Sequence, residues 1–117
     1  MKPTDSKSPP LSPATLHILL ALAGGDLHGY GILQEIARHS EGHYKLGPGT
    51  LYDNLKKLMD TGLVADLPAS DADDRRLYTL TSAGRGALTT EADRLHRVVR
   101  EARLRLGDGR LGETRQA

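Results

Sequence analysis

A mainly helical domain with one small β-hairpin and a long C-terminal helix is the fold class that this 117-residue sequence predicts. Three observations predict it. Apolar residues recur at helical spacing in four separate stretches. Two short strand-like runs, Leu63 to Leu67 and Leu77 to Leu80, flank the polar segment Pro68-Ala69-Ser70-Asp71-Ala72-Asp73-Asp74. The last helical stretch repeats its apolar residues at alternating spacings of four and three.

The elements follow in order. Ser12 before Pro13 predicts a helix start, because a cap hydroxyl satisfies an orphan amide and proline at the first position has no amide to lose. The run from Ala14 to Leu22 carries Leu16, Ile18, Leu19, Leu20 and Leu22, which is dense enough to predict burial on several sides. Gly24-Gly25-Asp26 ends it. A second helix is predicted from His28 to about Ser40, with Tyr30, Leu33, Ile36 and Ala37 along its apolar face. Gly29 and Gly31 weaken its first turn, so it must lean on neighbours.

The third helix carries the argument about function. Pro48 suits its first position and Gly62, before Leu63 and Val64, marks its end. Leu51, Leu55, Leu58 and Met59 then share one face, while Thr50, Asp53, Asn54 and Lys57 share the opposite one and Tyr52 and Lys56 flank it. A solvated amphipathic helix has the same pattern. The outward set, however, mixes hydroxyl, carboxylate, amide and ammonium, the groups that discriminate base edges in a DNA major groove. Helix, helix, helix, hairpin is the order of a winged helix-turn-helix, in which the third helix enters that groove.

Three segments make a more specific resemblance. Leu27 to Ile36 (LHGYGILQEI), Gly47 to Val64 (GPGTLYDNLKKLMDTGLV) and Asp73 to Leu88 (DDRRLYTLTSAGRGAL) resemble, in order and spacing, the signature blocks of the PadR family of winged-helix transcriptional regulators. The resemblance spans roughly Leu16 to Leu106. It implies a dimeric repressor on double-stranded DNA, released by a small-molecule or stress signal that differs between members. The chain departs from the family pattern at Gly47, where relatives often carry serine, at Asp53, and at Gly31 and Leu77. A carboxylate at Asp53 repels phosphate, so it either reads a base donor or pairs with Lys56 or Lys57.

Charge is informative by distribution rather than by total. The formal net charge is +1 and the isoelectric point about 8.1, which is weak support for a nucleic-acid partner. Lys56, Lys57, Arg75 and Arg76 lie in the third helix and the hairpin, whereas Asp71, Asp73 and Asp74 make the hairpin tip acidic. Arg75 or Arg76 is expected either to meet phosphate or to pair with those aspartates.

The final helix, capped by Thr81 and running to about Leu106, presents Leu88, Ala92, Leu95, Val99, Ala102 and Leu106 as a heptad seam. So long a helix leaves that seam unburied within one chain, and a homodimer buries it. The domain organisation expected is therefore a disordered tail over 1–11, a winged helix-turn-helix over 12–80, a dimerisation helix over 81–106 and a second disordered tail over 107–117. A two-fold dimer implies an inverted-repeat operator.

Other function classes find little support. There is no cysteine, hence no disulfide and no thiolate nucleophile, which suits a reducing cytoplasm. No apolar run reaches ~18 residues, so no membrane is expected. The histidines His17, His28, His39, His43 and His96 accompany no catalytic motif, and His39 with His43, four apart across Gly42, reads as surface rather than as a metal site. Neither enzyme chemistry nor a cofactor is expected. With no tryptophan or phenylalanine and four tyrosines, an aromatic drug-stacking pocket is not expected, and the effector is small or absent. The alternative function is a winged helix used only for protein contact, which the acidic hairpin tip, Asp53 and the low net charge permit.

Overall fold

The computed structural model describes residues 9–67 and 76–107. Helix α1 spans Pro13–Ala23, strand β1 Leu27–His28, helix α2 Gly29–His39, helix α3 Pro48–Asp60, strands β2 and β3 Val64–Leu67 and Leu77–Leu80, and helix α4 Ser82–Leu106. Together they form a helical core edged by a three-stranded antiparallel sheet of order β1-β3-β2.

The helix boundaries are set locally. Ser12 is extended, and its hydroxyl accepts from the Thr15 amide at 3.1 Å, so α1 starts with a side-chain cap. At the other end of the HTH unit, Gly62 adopts a left-handed conformation (φ 83°). Its amide then reaches the Met59 carbonyl at 3.1 Å and the Leu63 amide the Leu58 carbonyl at 2.9 Å, a Schellman closure that satisfies two orphan carbonyls of α3. Only glycine takes this backbone without strain.

The core is where the helices converge. Ile18, Leu19 and Leu22 of α1, Ile32 and Ile36 of α2 and Leu51 and Leu55 of α3 are almost wholly buried, joined by Val64, Tyr78 and Leu80 of the sheet. Two expected faces differ from this. Leu20 turns outward from α1, and on α2 the buried positions are Gly29, Ile32 and Ile36, while Tyr30 stays 67% exposed and Ala37 is exposed. The reason lies at the start of α2: the first turn is packed so closely under α3 that a residue without a side chain occupies the inner position, which rotates Tyr30 to the outside.

Strand β1 was not expected from the sequence. It is two residues long, and its pairing, Leu27 with Tyr78 and His28 with Leu77, comes entirely from the distant β3. On the other edge β2 pairs Val64 with Leu80 and Leu67 with Leu77. The hairpin connection, 68–75, lies outside the described residues, and with it Arg75, Asp71, Asp73 and Asp74.

Helix α4 is anchored at its first turns. Thr81 uses its hydroxyl twice, accepting from the Gly84 amide at 3.0 Å and donating to the Gly62 carbonyl at 2.6 Å, while its own amide reaches the Leu63 carbonyl at 3.2 Å. Gly84 is buried here because a methyl at its Cα would overlap the Leu63 carbonyl oxygen and a Leu80 methyl. Ala87 and Leu88 pack on the core. Beyond Glu91 the helix runs out over solvent, with Arg94 alone half-buried.

Gly84→Ala forces α4 away from Leu63 and is expected to lower stability by about 1–3 kcal/mol, the usual cost of overpacking. Gly86, with open space at its Cα, supplies the control: Gly86→Ala should stabilise by about 0.5–1 kcal/mol through helix propensity. Urea unfolding of the two variants measures both, and equal effects at the two positions would show that the contact with Leu63 does not constrain the helix.

Candidate nucleic-acid interface

The outward face of α3 is available once its apolar face is buried. Leu51, Leu55 and Leu58 point into the core, whereas Thr50, Tyr52, Asp53, Lys56 and Lys57 are exposed and Asn54 is half-buried. The predicted set is therefore brought together on one face, with two qualifications. The Asn54 side-chain amide donates to the Thr50 carbonyl at 2.9 Å, which leaves one N–H and the carbonyl oxygen of the amide for another partner. Among the described residues Asp53 forms no ion pair, so the expected pairing with Lys56 or Lys57 is not made.

Tyr52 stands exposed on the flank of α3 and is also held at its far end. Its ring is 49% exposed, but its hydroxyl end lies directly over Gly29, where a Cβ would overlap it. Burial pushes the Tyr78 hydroxyl above the ordinary phenol value, and the Tyr52 hydroxyl nearby adds to the same effect. Tyr52 thus spans from α3 to the first turn of α2 and to β3. It braces the helix-turn-helix against the sheet.

The base of the hairpin is built on charge and hydrogen bonding. Arg76 pairs with Asp66 on the neighbouring strand, a diagonal cross-strand reach. The Arg76 carbonyl lies 2.9 Å from His28 Nδ1; since a carbonyl oxygen only accepts, Nδ1 carries the proton and donates. His28 was expected to help start α2. It stands at the N-cap without a side-chain cap bond, its ring turned instead to the hairpin.

Two groupings escaped the sequence analysis. His17 Nδ1 and His39 Nε2 are 2.9 Å apart, with the rings stacked at 5.1 Å and Tyr44 stacked on His17 at 4.3 Å. His43 is not part of this group: α2 ends at His39, Glu41 and Gly42 turn the chain with positive φ, and His43 bonds the Ser40 carbonyl. Glu91, 4% exposed, pairs with Arg94 and accepts from the Leu11 amide at 3.4 Å, pinning the entry to α1 against α4. Sequence separations of 22 and 80 residues put both contacts beyond any local signal. Among the described residues no group of three or more His, Asp or Glu side chains is placed to hold a metal ion. No helix is long and apolar enough to cross a membrane, again among the described residues.

The expected seam on α4 divides in two. Leu88 packs against its own core, whereas Leu95, Val99 and Leu106 are 40%, 45% and 75% exposed. Val98 and Leu104, outside the heptad pattern, are exposed as well, so the apolar surface of the distal helix is wider than the seam.

Comparison with known proteins agrees with this arrangement. The chain is 41% identical over 87 residues, 74% of its length and 78% of the relative's, to the transcriptional regulator Rv3488 of Mycobacterium tuberculosis. Among solved structures it superposes on a PadR family transcription regulator from Clostridium difficile with a TM-score of 0.67 at 20% identity, covering 81% of this chain and 98% of that one. It also superposes on Bacillus subtilis PadR in complex with operator DNA, with a TM-score of 0.61 at 26% identity over 69% of this chain and 46% of that one. The model of the transcriptional regulator PadR-like family matches residues 18–90, and the chain belongs to that family.

Proposed function

We propose that this regulator binds an inverted-repeat operator as a homodimer and represses transcription from it, reading the major groove with α3. The observation that carries the reading is the face of α3 that stays exposed after the core is complete: Thr50, Asn54, Lys56 and Lys57 project together from a helix closed at its C-terminal end by the Gly62 turn. The operator complex of the Bacillus subtilis relative supports the same use of the fold. Within the face, Lys56 is assigned to phosphate and Thr50, Asn54 and Lys57 to base edges. Arg76 is assigned to holding the wing through Asp66, with its exposed guanidinium edge near the DNA backbone. Dimerisation is assigned to the distal half of α4 through Leu95, Val99 and Leu106, whose exposure in a single chain is otherwise unexplained.

Fluorescence polarisation with DNA from upstream of the protein's own coding region tests the central reading. For Lys56→Ala the slope of log affinity against log salt should flatten by about one unit per half-site, because one fewer counterion is released. Asn54→Ala should lose about 1–3 kcal/mol on the cognate sequence and almost nothing on random DNA. Equal losses on both DNAs would mean that the helix holds phosphate without reading sequence.

Assembly is tested separately. Leu95→Asp or Val99→Asp places an unpaired charge in the assigned contact, at a cost of several kcal/mol. Light scattering should show a dimer for the wild type and a monomer for each variant. A wild-type monomer removes the interface, and a variant that remains dimeric removes this stretch of α4 from it.

A further inference from the structure

His17 of α1, His39 at the end of α2 and Tyr44 in the connection to α3 form one stack, so three segments that orient the recognition helix meet at two imidazoles and a phenol. The stack is continued by hydrogen bonds. Ser40 Oγ accepts from the Tyr44 amide at 3.1 Å and donates to the Tyr44 carbonyl at 3.3 Å, which fixes Tyr44 to the end of α2 three residues before the cap of α3.

Only one proton fits between the two rings. In the neutral pair one of His17 Nδ1 and His39 Nε2 donates and the other accepts. A single added proton keeps the bond, since three of the four ring nitrogens then carry N–H and the fourth accepts. That proton has a defined place: His39 Nδ1 is buried without a hydrogen-bond partner, 3.8 Å from Glu35 Oε2. Glu35 remains a carboxylate, since the Arg38 guanidinium hydrogen-bonded to it at 2.5 Å holds it below the usual carboxylate range. His39 as imidazolium therefore faces Glu35 with Nδ1–H and His17 with Nε2–H. A second proton, on His17 Nδ1, sets N–H against N–H and like charge against like charge.

We propose that the His17–His39 pair is an acid-sensitive latch on the recognition helix, closed with one shared proton and opened by a second, so that the Ser40 to Leu46 connection and the start of α3 loosen as pH falls. The charged and titratable groups facing it are Glu35 and Arg38 from α2 and Tyr44 from the connection, with His17 the α1 contribution. Consistent with this, His17 lies below the ordinary imidazole value, first through burial and second through His39. The sign follows: the unfolded chain takes up the proton first, so the contribution of His17 to stability is intact above about pH 6.5 and is lost as pH drops through the lower folded value. The consequence for DNA rests on the function proposed above, but the latch itself does not.

NMR titration of the full chain from pH 8 to 5 tests it. The His17 ring should titrate below the ordinary imidazole value, and the amides of Lys45 to Gly49 should shift with the His17 midpoint. His17→Gln keeps a hydrogen-bonding group toward His39 but takes no proton, so these amide shifts should be flat; His39→Gln serves the same purpose if His17→Gln does not fold. A His17 midpoint at or above the ordinary imidazole value, or amide shifts that persist unchanged in the glutamine variant, would falsify the latch. Polarisation on the upstream DNA over the same range should show a steeper acid loss for wild type than for His17→Gln. Absence of DNA binding at every pH overturns the proposed function, and the amide titration then still decides the latch.

Discussion

The structure depends on one close approach: the first turn of α4 lies directly on the Leu63 backbone, with no side chain at Gly84 to hold them apart. Thr81 closes this joint by bonding both the Gly62 carbonyl and the Gly84 amide. The end of α3, the start of the wing and the start of the long helix are thereby held at a single point. Because Gly62 also completes the Schellman closure of α3, the direction in which α3 ends determines where β2 and α4 begin. A displacement of α4 is therefore transmitted to α3 through the Thr81 hydroxyl and the Thr81 amide, which bond the Gly62 and Leu63 carbonyls directly.

At the other end of α3 the constraint is steric. Tyr52 over Gly29 closes α2 against α3, and His28 carries that contact to the Arg76 carbonyl and so to the wing. These bonds are surface-exposed, and Arg76 with Asp66 is worth no more than about 1 kcal/mol as an exposed pair. Their significance is geometric. Wing and helix-turn-helix share an origin at His28, so the hairpin base moves with the start of α2 rather than independently of it.

How much was legible in the sequence follows from how far each contact reaches along the chain. Ser12, Pro48, Gly62 and Thr81 announced helix ends because caps are made by neighbours within four residues, and the boundaries they predict agree with the structure to within a residue or so. The outward face of α3 was legible for the same reason, since helical periodicity alone separates Leu51 and Leu55 from Thr50 and Lys57. Strand β1, the inward turn of Gly29 with the exposure of Tyr30, and the His17–His39 pair were not legible. Each is created by a residue 22 to 51 positions away: Tyr78 for Leu27, Tyr52 for Gly29, and His39 for His17. The glycines show the difference most clearly. Gly62 is required by its own backbone angle, whereas Gly29 and Gly84 are required by what lies against them, and only the former leaves a local signature.

The long helix carries this logic out of the monomer. Its first turns are placed by Thr81, Gly84 and the buried Glu91 with Arg94, but among the described residues nothing covers Leu95, Val98, Val99, Leu104 and Leu106. Burial of a leucine or valine side chain is worth about 1.5–3 kcal/mol, so an apolar surface of this width is a substantial driving force for association. An i, i+4 pair such as Arg105 with Glu101 contributes only a few tenths of a kcal/mol to the isolated helix. Apolar burial, not surface charge, therefore decides whether the distal turns are well ordered. A partner helix that covers them fixes α4, and α4 fixes the end of α3 through Gly84 and Leu63. In the proposed dimer, association and the aim of α3 are then coupled through one joint, a physical route from the proposed contact on α4 to the proposed DNA-reading face.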